Sequence, residues 1–286
     1  MKRLLICPSD RTGVSALAEA LPLANVPLLG QSLLEYWLSY LSCSGVKEVS
    51  ILADDRPEKV RALVGTGARW GLMASVVEES RELTSAQALL KYGKELDPAT
   101  PQDGIAVLDH FPGAPQFPLF ASYEGCFQGM QAWMPHANMP DRVGVRELRP
   151  GVWTGTHSHI SPEAQLHAPC WVGKNVFLGE RAVLRPGAII EDGAFIEPDA
   201  VIANSLVAPD TFVGRFTEIT DSLAVGSTLI NWKTGSVAKV PDPFVLCALR
   251  KPAGVGAAKW LAKLGELYSR NKADAHVLWK HLLINR

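Results

Sequence analysis

At 286 residues the chain has room for about two domains of ordinary size. Apolar residues make up 47% and charged residues 20%, which suits folded domains with buried cores and excludes a disordered or fibrous chain. The formal net charge of −1 gives no general pull toward nucleic acid, so nucleic acid is not an expected partner and any attraction to an anionic membrane must be regional.

The chain opens MKRLLICPSDRTG, where Pro8, Ser9, Asp10 and Arg11 end the apolar run after a few residues. That is too short for a signal peptide or a spanning helix and reads as a first strand, Arg3–Cys7. Cys7, Cys43, Cys126, Cys170 and Cys247 are scattered, odd in number and without a CxxC pair. Neither a disulfide framework nor a zinc site is expected, and reduced, mostly buried thiols in a cytoplasmic protein are.

Further along, Ser32-Leu33-Leu34-Glu35 has the form of a capping box, followed by Trp37, Leu38 and Leu41 at helical spacing and by Gly45 as a stop. Val49–Ala53 predicts a second strand, and Pro57 the first turn of a helix carrying Val60, Leu63 and Val64. Leu72–Val77 predicts a third strand, Thr84 and Gln87 a second capping box, and Gly104–Leu108 a fourth strand. Strands alternating with helices at this spacing point to a three-layer α/β domain with a mainly parallel sheet. Such sheets bind ligands beyond the carboxyl ends of their strands, which singles out the loops Pro8 to Gly13, Asp54 to Arg56 and Asp109 to Gly113.

The run Pro27-Leu28-Leu29-Gly30-Gln31-Ser32-Leu33-Leu34-Glu35-Tyr36, then Ser44-Gly45-Val46-Lys47-Glu48-Val49, with Arg69-Trp70-Gly71-Leu72 beyond it, resembles the start of sugar nucleotidyltransferases. The resemblance covers about the first hundred residues. It implies an enzyme that joins a sugar 1-phosphate to a nucleoside triphosphate, through a glycine-rich loop after the first strand, a lysine and metal-binding aspartates.

At the loop this chain reads Pro8-Ser9-Asp10-Arg11-Thr12-Gly13, at the lysine position Leu23, and at the later base-framing stretch Leu83-Thr84-Ser85-Ala86. By the resemblance Arg11, Thr12 and Gly13 are the nucleotide-binding candidates, and Asp109 stands near the metal-binding aspartate, with Mg²⁺ implied if a nucleotide is bound. Asp109 has no second carboxylate beside it in the sequence, and its bland reading is a turn residue at a strand end. The family's second half, which holds the sugar phosphate, has no counterpart here. The expectation is a shortened domain without standard catalysis over residues 1–113, with 114–150 as a connecting segment.

From Ile160 an aliphatic residue recurs every six positions at Leu166, Val172, Leu178, Leu184, Ile190, Ile196 and Ile202. Four places after each anchor come Ala164, Cys170, Val176, Ala182, Ala188, Ala194, Ala200 and Leu206. After a one-residue slip near Asn204 the pattern resumes with Val207, Val213 and Ile219. The period predicts a β-solenoid over 151–240, in which each short strand points one large residue inward and a small one turns the corner. It resembles the hexapeptide-repeat left-handed β-helix, which implies a homotrimer.

Many hexapeptide proteins are acyltransferases with a histidine base, so His157, His159 and His167 are candidates against the plainer reading of solvated surface groups. Trp153 and Trp171 are expected to cap the open helix end.

The tail, 241–286, is basic from Arg250 on, with Trp260, Leu261, Leu264, Leu267 and Tyr268 on one helical stripe. It either packs on the protein or docks on a membrane or a protein partner. Three functions stay open on the sequence: a binding or regulatory subunit in sugar-nucleotide or polysaccharide metabolism, taking a nucleotide or sugar nucleotide; an active nucleotidyl- or acyltransferase; and a structural trimer.

Overall fold

The computed structural model describes residues 2–96, 104–137 and 144–249. The basic stripe of the tail lies outside these residues. The chain forms two compact units, Met1–Trp133 and Met134–Arg286.

In the first unit four parallel strands, β1 (Lys2–Ile6), β2 (Glu48–Ala53), β3 (Met73–Glu78) and β4 (Ile105–Val107), lie in the order β3-β2-β1-β4. The connections run from β1 outward to β3 and then back across to β4, so the topological switch lies between β1 and β4. Helix α1 (Leu33–Cys43) starts at Ser32, whose hydroxyl accepts from the Glu35 N–H while the Glu35 carboxylate accepts from the Ser32 N–H. Helix α2 (Pro57–Val64) has its proline in the first turn, and α3 (Ser85–Tyr92) opens with the Thr84–Gln87 capping box. All three helices begin where the local sequence places them.

Ile6 and Leu52 pack with Ala88 of α3 on one face of the sheet, joined by Val77, Ile105 and Val107. Leu5, Val49 and Ile51, which alternate with them along the strands, are also fully buried. Both faces are therefore covered, as three layers require. Beyond β4, Leu119 N–H donates to the Asp109 carbonyl at 2.7 Å, and Trp133, at the end of α4 (Tyr123–Trp133), stacks on Phe111.

The second unit is a parallel β-helix. Strand partners lie 18 residues apart, Cys170 beside Ala188 and Val183 beside Val201, so three six-residue repeats make one coil. The strands stack into three sheets. Val172, Ile190 and Val207, Leu178, Ile196 and Val213, and Leu184, Ile202 and Ile219 point from those sheets into one apolar interior, with Ala182, Ala188, Ala194 and Ala200 at its corners. Side chains of intermediate position on the strands point outward.

Left-handed backbone recurs coil after coil at one corner: His157, Asn175, Gly193 and Asp210 have φ between 49° and 73°. Asn, Asp, His and Gly are the residues that tolerate this region.

Three details depart from the repeat as read. The parallel stacking starts one six-residue repeat before the Ile160 anchor, with Val152–Gly155 beside Cys170–Val172. It ends at Ser222–Val225, after which Thr228–Asn231 and Val237–Lys239 return antiparallel. Past the shortened corner at Asn204 partners lie 17 residues apart, Ile189 beside Leu206, so Ser205 rather than Leu206 takes the small inward place. Its hydroxyl donates to the Ala203 carbonyl at 2.7 Å and accepts from the Ser222 N–H at 3.0 Å, which satisfies a polar group with no exposed surface.

Candidate functional site

Because the four strands are parallel, the loops that follow them gather at one edge of the sheet. The loop after β1 follows the buried Cys7 and Pro8. Ser9 N–H donates to the Glu82 carboxylate at 2.9 Å, and the Arg11 guanidinium donates to its other oxygen at 2.6 Å. Arg11 is aimed by a second bond, to the Ser9 carbonyl at 3.2 Å.

Glu82 belongs to the loop after β3, and β2 lies between β3 and β1. The contact therefore crosses the carboxyl end of β2. There the Ser9 hydroxyl donates to Asp54, whose other carboxylate oxygen is buried without a hydrogen-bond partner. Asp55 is paired with Arg56 at 2.7 Å, and Arg56 reaches Asp10 at 3.4 Å. Burial pushes the Cys7 thiol strongly upward, and Asp54, Glu82 and Asp55 add to the shift, so this cysteine is no nucleophile.

On the other side of β1, at the switch point, the chain fills its own crevice. A Cβ on Gly13 would lie 2.7 Å from the Ala121 carbonyl oxygen, so the bare Cα serves this close approach. Ala16 N–H donates to the Tyr123 hydroxyl at 3.1 Å. Thr12 is exposed at the start of a 3₁₀ turn, Thr12–Leu17. Leu23, at the position where the resemblance puts a lysine, is fully buried. Leu83 to Ala86 hold the start of α3.

Asp109 is not alone: His110 Nδ1 lies 2.5 Å from its carboxylate, and Trp37 Nε1 donates to the His110 carbonyl at 2.9 Å. Nothing in the local sequence marks His110, Glu82 and Tyr123, because their partners lie far away in the chain or at an unremarkable neighbouring position. Among the described residues no group of three or more His, Cys, Asp or Glu is arranged to hold a metal ion. Asp109, with a histidine for a partner and no second carboxylate beside it among the described residues, does not fit a resident Mg²⁺.

In the β-helix the three candidate histidines occupy different places. His157 is a left-handed corner, His159 heads an outward ladder in which it stacks on Phe177 at 5.1 Å, and His167 is exposed on another face. The ladder continues through Phe195 and Phe212. The Cys170 thiol is pushed up to about 11 by burial, against the pull of Arg149. Trp153 and Trp171 sit side by side in successive coils on an outward ladder, not over the open end. No helix among the described residues is long and apolar enough to cross a membrane.

Residues 169–204 match the family model described as bacterial transferase hexapeptide (six repeats). A stretch of 90 residues, 32% of this chain and 25% of the relative, is 28% identical to a glucose-1-phosphate thymidylyltransferase of Streptomyces griseus. The chain thus spans about a quarter of the length of that curated relative.

Among solved structures, a GDP-perosamine N-acetyltransferase of Caulobacter crescentus is 14% identical, with 63% of this chain and 93% of that one covered at a TM-score of 0.20. The acetyltransferase domain of PglB from Neisseria gonorrhoeae is 12% identical, with 68% and 94% covered at a TM-score of 0.16. Likenesses this slight bear on neither fold nor chemistry. The chain joins an α/β unit to a hexapeptide-repeat β-helix, and 90 of its residues are similar in sequence to a nucleotidyltransferase.

Proposed function

We propose that this protein is a sugar-nucleotidyltransferase-like binding or regulatory subunit of cytoplasmic sugar-nucleotide or polysaccharide metabolism that lacks standard catalysis. The observation that carries the reading is the double commitment of the loop after β1. Ser9 N–H and Arg11 are bound to Glu82, and Gly13 and Ala16 are packed on Ala121 and Tyr123. Phosphoryl transfer needs preorganised donors aimed at the charge that develops on the phosphoryl oxygens. Here those donors already have a carboxylate for a partner, and no lysine stands behind them at Leu23.

A working acyltransferase finds less support: His157 serves the backbone turn and His159 serves the aromatic ladder. We take the assembly to be a homotrimer built along the β-helix. One face keeps Gln165, Val183, Val201 and Glu218 accessible along its length, whereas the outward ladders of the other two are largely buried. Sedimentation analysis tests this, and a monomer at micromolar concentration rules it out.

The functional test is paired. Sugar nucleotides should raise the melting temperature in a thermal-shift series, since a ligand bound only to the folded state stabilises it. Incubation with nucleoside triphosphate, sugar 1-phosphate and Mg²⁺ should release no pyrophosphate above background. Steady pyrophosphate release would refute the reading.

A further inference from the structure

A closed edge and a binding role have to be reconciled, and Glu82 is the group that does so. Surface ion pairs are ordinarily weak and unspecific. This one differs in its geometry: one carboxylate receives a backbone N–H at 2.9 Å and a guanidinium at 2.6 Å from the same short loop. The Ser9 carbonyl fixes the guanidinium at 3.2 Å. A main-chain donor and an oriented arginine converging on one oxyanion is how proteins recognise phosphate as well as carboxylate.

Of the neighbouring carboxylates, Asp54 keeps one buried oxygen without a hydrogen-bond partner. Asp55 is held by Arg56 at 2.7 Å, and Asp54 accepts the Ser9 hydroxyl. If Glu82 withdraws, Arg11 loses the ion-pair partner it has among the described residues. The segment that carries Glu82 has neither helix nor strand between β3 and α3, and Ser80 and Arg81 just before it are exposed. It can swing away without breaking the sheet.

We propose that Glu82 is a built-in oxyanion that latches the loop after β3 onto the loop after β1, and that a phosphate-bearing ligand enters this edge by taking its place. The latch rests on the reading of this edge as the ligand-binding edge, and adds to it the contact that regulates entry.

The test titrates inorganic pyrophosphate, a nucleoside triphosphate and a sugar 1-phosphate in parallel into the wild-type protein, E82A and the double variant R11A/E82A. Pyrophosphate should bind E82A at least tenfold more tightly than wild type, and R11A/E82A should lose that gain. The ligand with the largest gain identifies the source of the phosphate. No gain in E82A for any of the three, or a gain that survives loss of Arg11, overturns the latch.

A second readout needs no variant. Trypsin cleavage after Arg81 in the wild-type protein should quicken severalfold in millimolar pyrophosphate, and an unchanged rate would equally overturn the proposal. Pyrophosphate release by wild-type protein would instead strike at the non-catalytic reading and leave the latch standing.

Discussion

Asp221 shows how a single residue can close one end of the β-helix. Its carboxylate accepts from Asn204 Nδ2 at 2.6 Å and from Lys233 Nζ at 2.6 Å, tying the corner of one coil to the next and to the returning hairpin. Trp232 Nε1 adds a bond to the Asn204 carbonyl at 3.0 Å. The hydrogen bond from Lys233 is the main cause that holds the Asp221 carboxyl below its ordinary value of 3.8, against a smaller opposing push from burial.

The folded carboxyl is the stronger acid, so near that pH the unfolded chain binds more protons. The contribution to stability is full above 3.8 and fades as pH falls through the lower folded value. D221N should cost about 1–2 kcal/mol at neutral pH, and urea titrations should show the gap from wild type closing in acid. An equal gap at both pH values would contradict this account.

Inside the coils each residue answers to volume. Ile196 is fully buried between Leu178 and Val213 in the same stack. I196A should lose about 2–5 kcal/mol in urea unfolding, by lost burial plus the cavity left behind. At the opposite extreme, His159 serves as the exposed end of a ring stack, and H159A should leave global stability nearly unchanged.

Among the elements, α1 and the coils illustrate different local rules. Helix α1 starts where a reciprocal pair of side-chain to backbone bonds satisfies free N–H groups, and its Glu35 also meets Arg69 at 2.9 Å. S32A should cost about 1 kcal/mol, measured as a shift of the denaturation midpoint at constant slope.

In the β-helix the limit is backbone approach. A Cβ on Gly173 would lie 2.4 Å from Asp192 Oδ1 and 2.7 Å from the Asp192 backbone nitrogen of the next coil. G173A should destabilise by about 1–3 kcal/mol through overpacking, and chemical denaturation reads the change directly. A neutral G173A would mean the coils can part locally without loss.

For the whole molecule, the repeat makes a stronger claim than any point change. Each coil contacts its neighbours through the same ladder, so excising the 18 residues 173–190 brings Val172 next to Glu191, just as Ile190 precedes it in the intact chain. The shortened protein should fold with the same β-sheet signature in circular dichroism and a lower melting temperature. Excising nine residues instead puts strand residues at corners and should prevent folding.

Much of this architecture is legible because it is local or periodic. Ser32 with Glu35, Thr84 with Gln87, and Pro57 at a first turn act within one helical turn, and the anchors from Ile160 to Ile202 repeat with period six. The candidate site is less legible. Glu82 stands 71 positions from Arg11, and Tyr123 107 from Ala16.

Local pattern was enough for where helices begin, for the residues facing the solenoid interior as far as Asn204, and for the missing phosphate-loop glycines and lysine of the resembled family. Those outcomes follow from short-range hydrogen bonding and from the fixed alternation of side chains along strands. What fills the carboxyl end of the parallel sheet follows from the three-dimensional fold. The order β3-β2-β1-β4 brings Glu82 across the end of β2 to Ser9 and Arg11, and the chain beyond β4 brings Ala121 and Tyr123 to the opposite side. Charge pairing and close packing between segments so far apart depend on strand order, which no local pattern in the chain records.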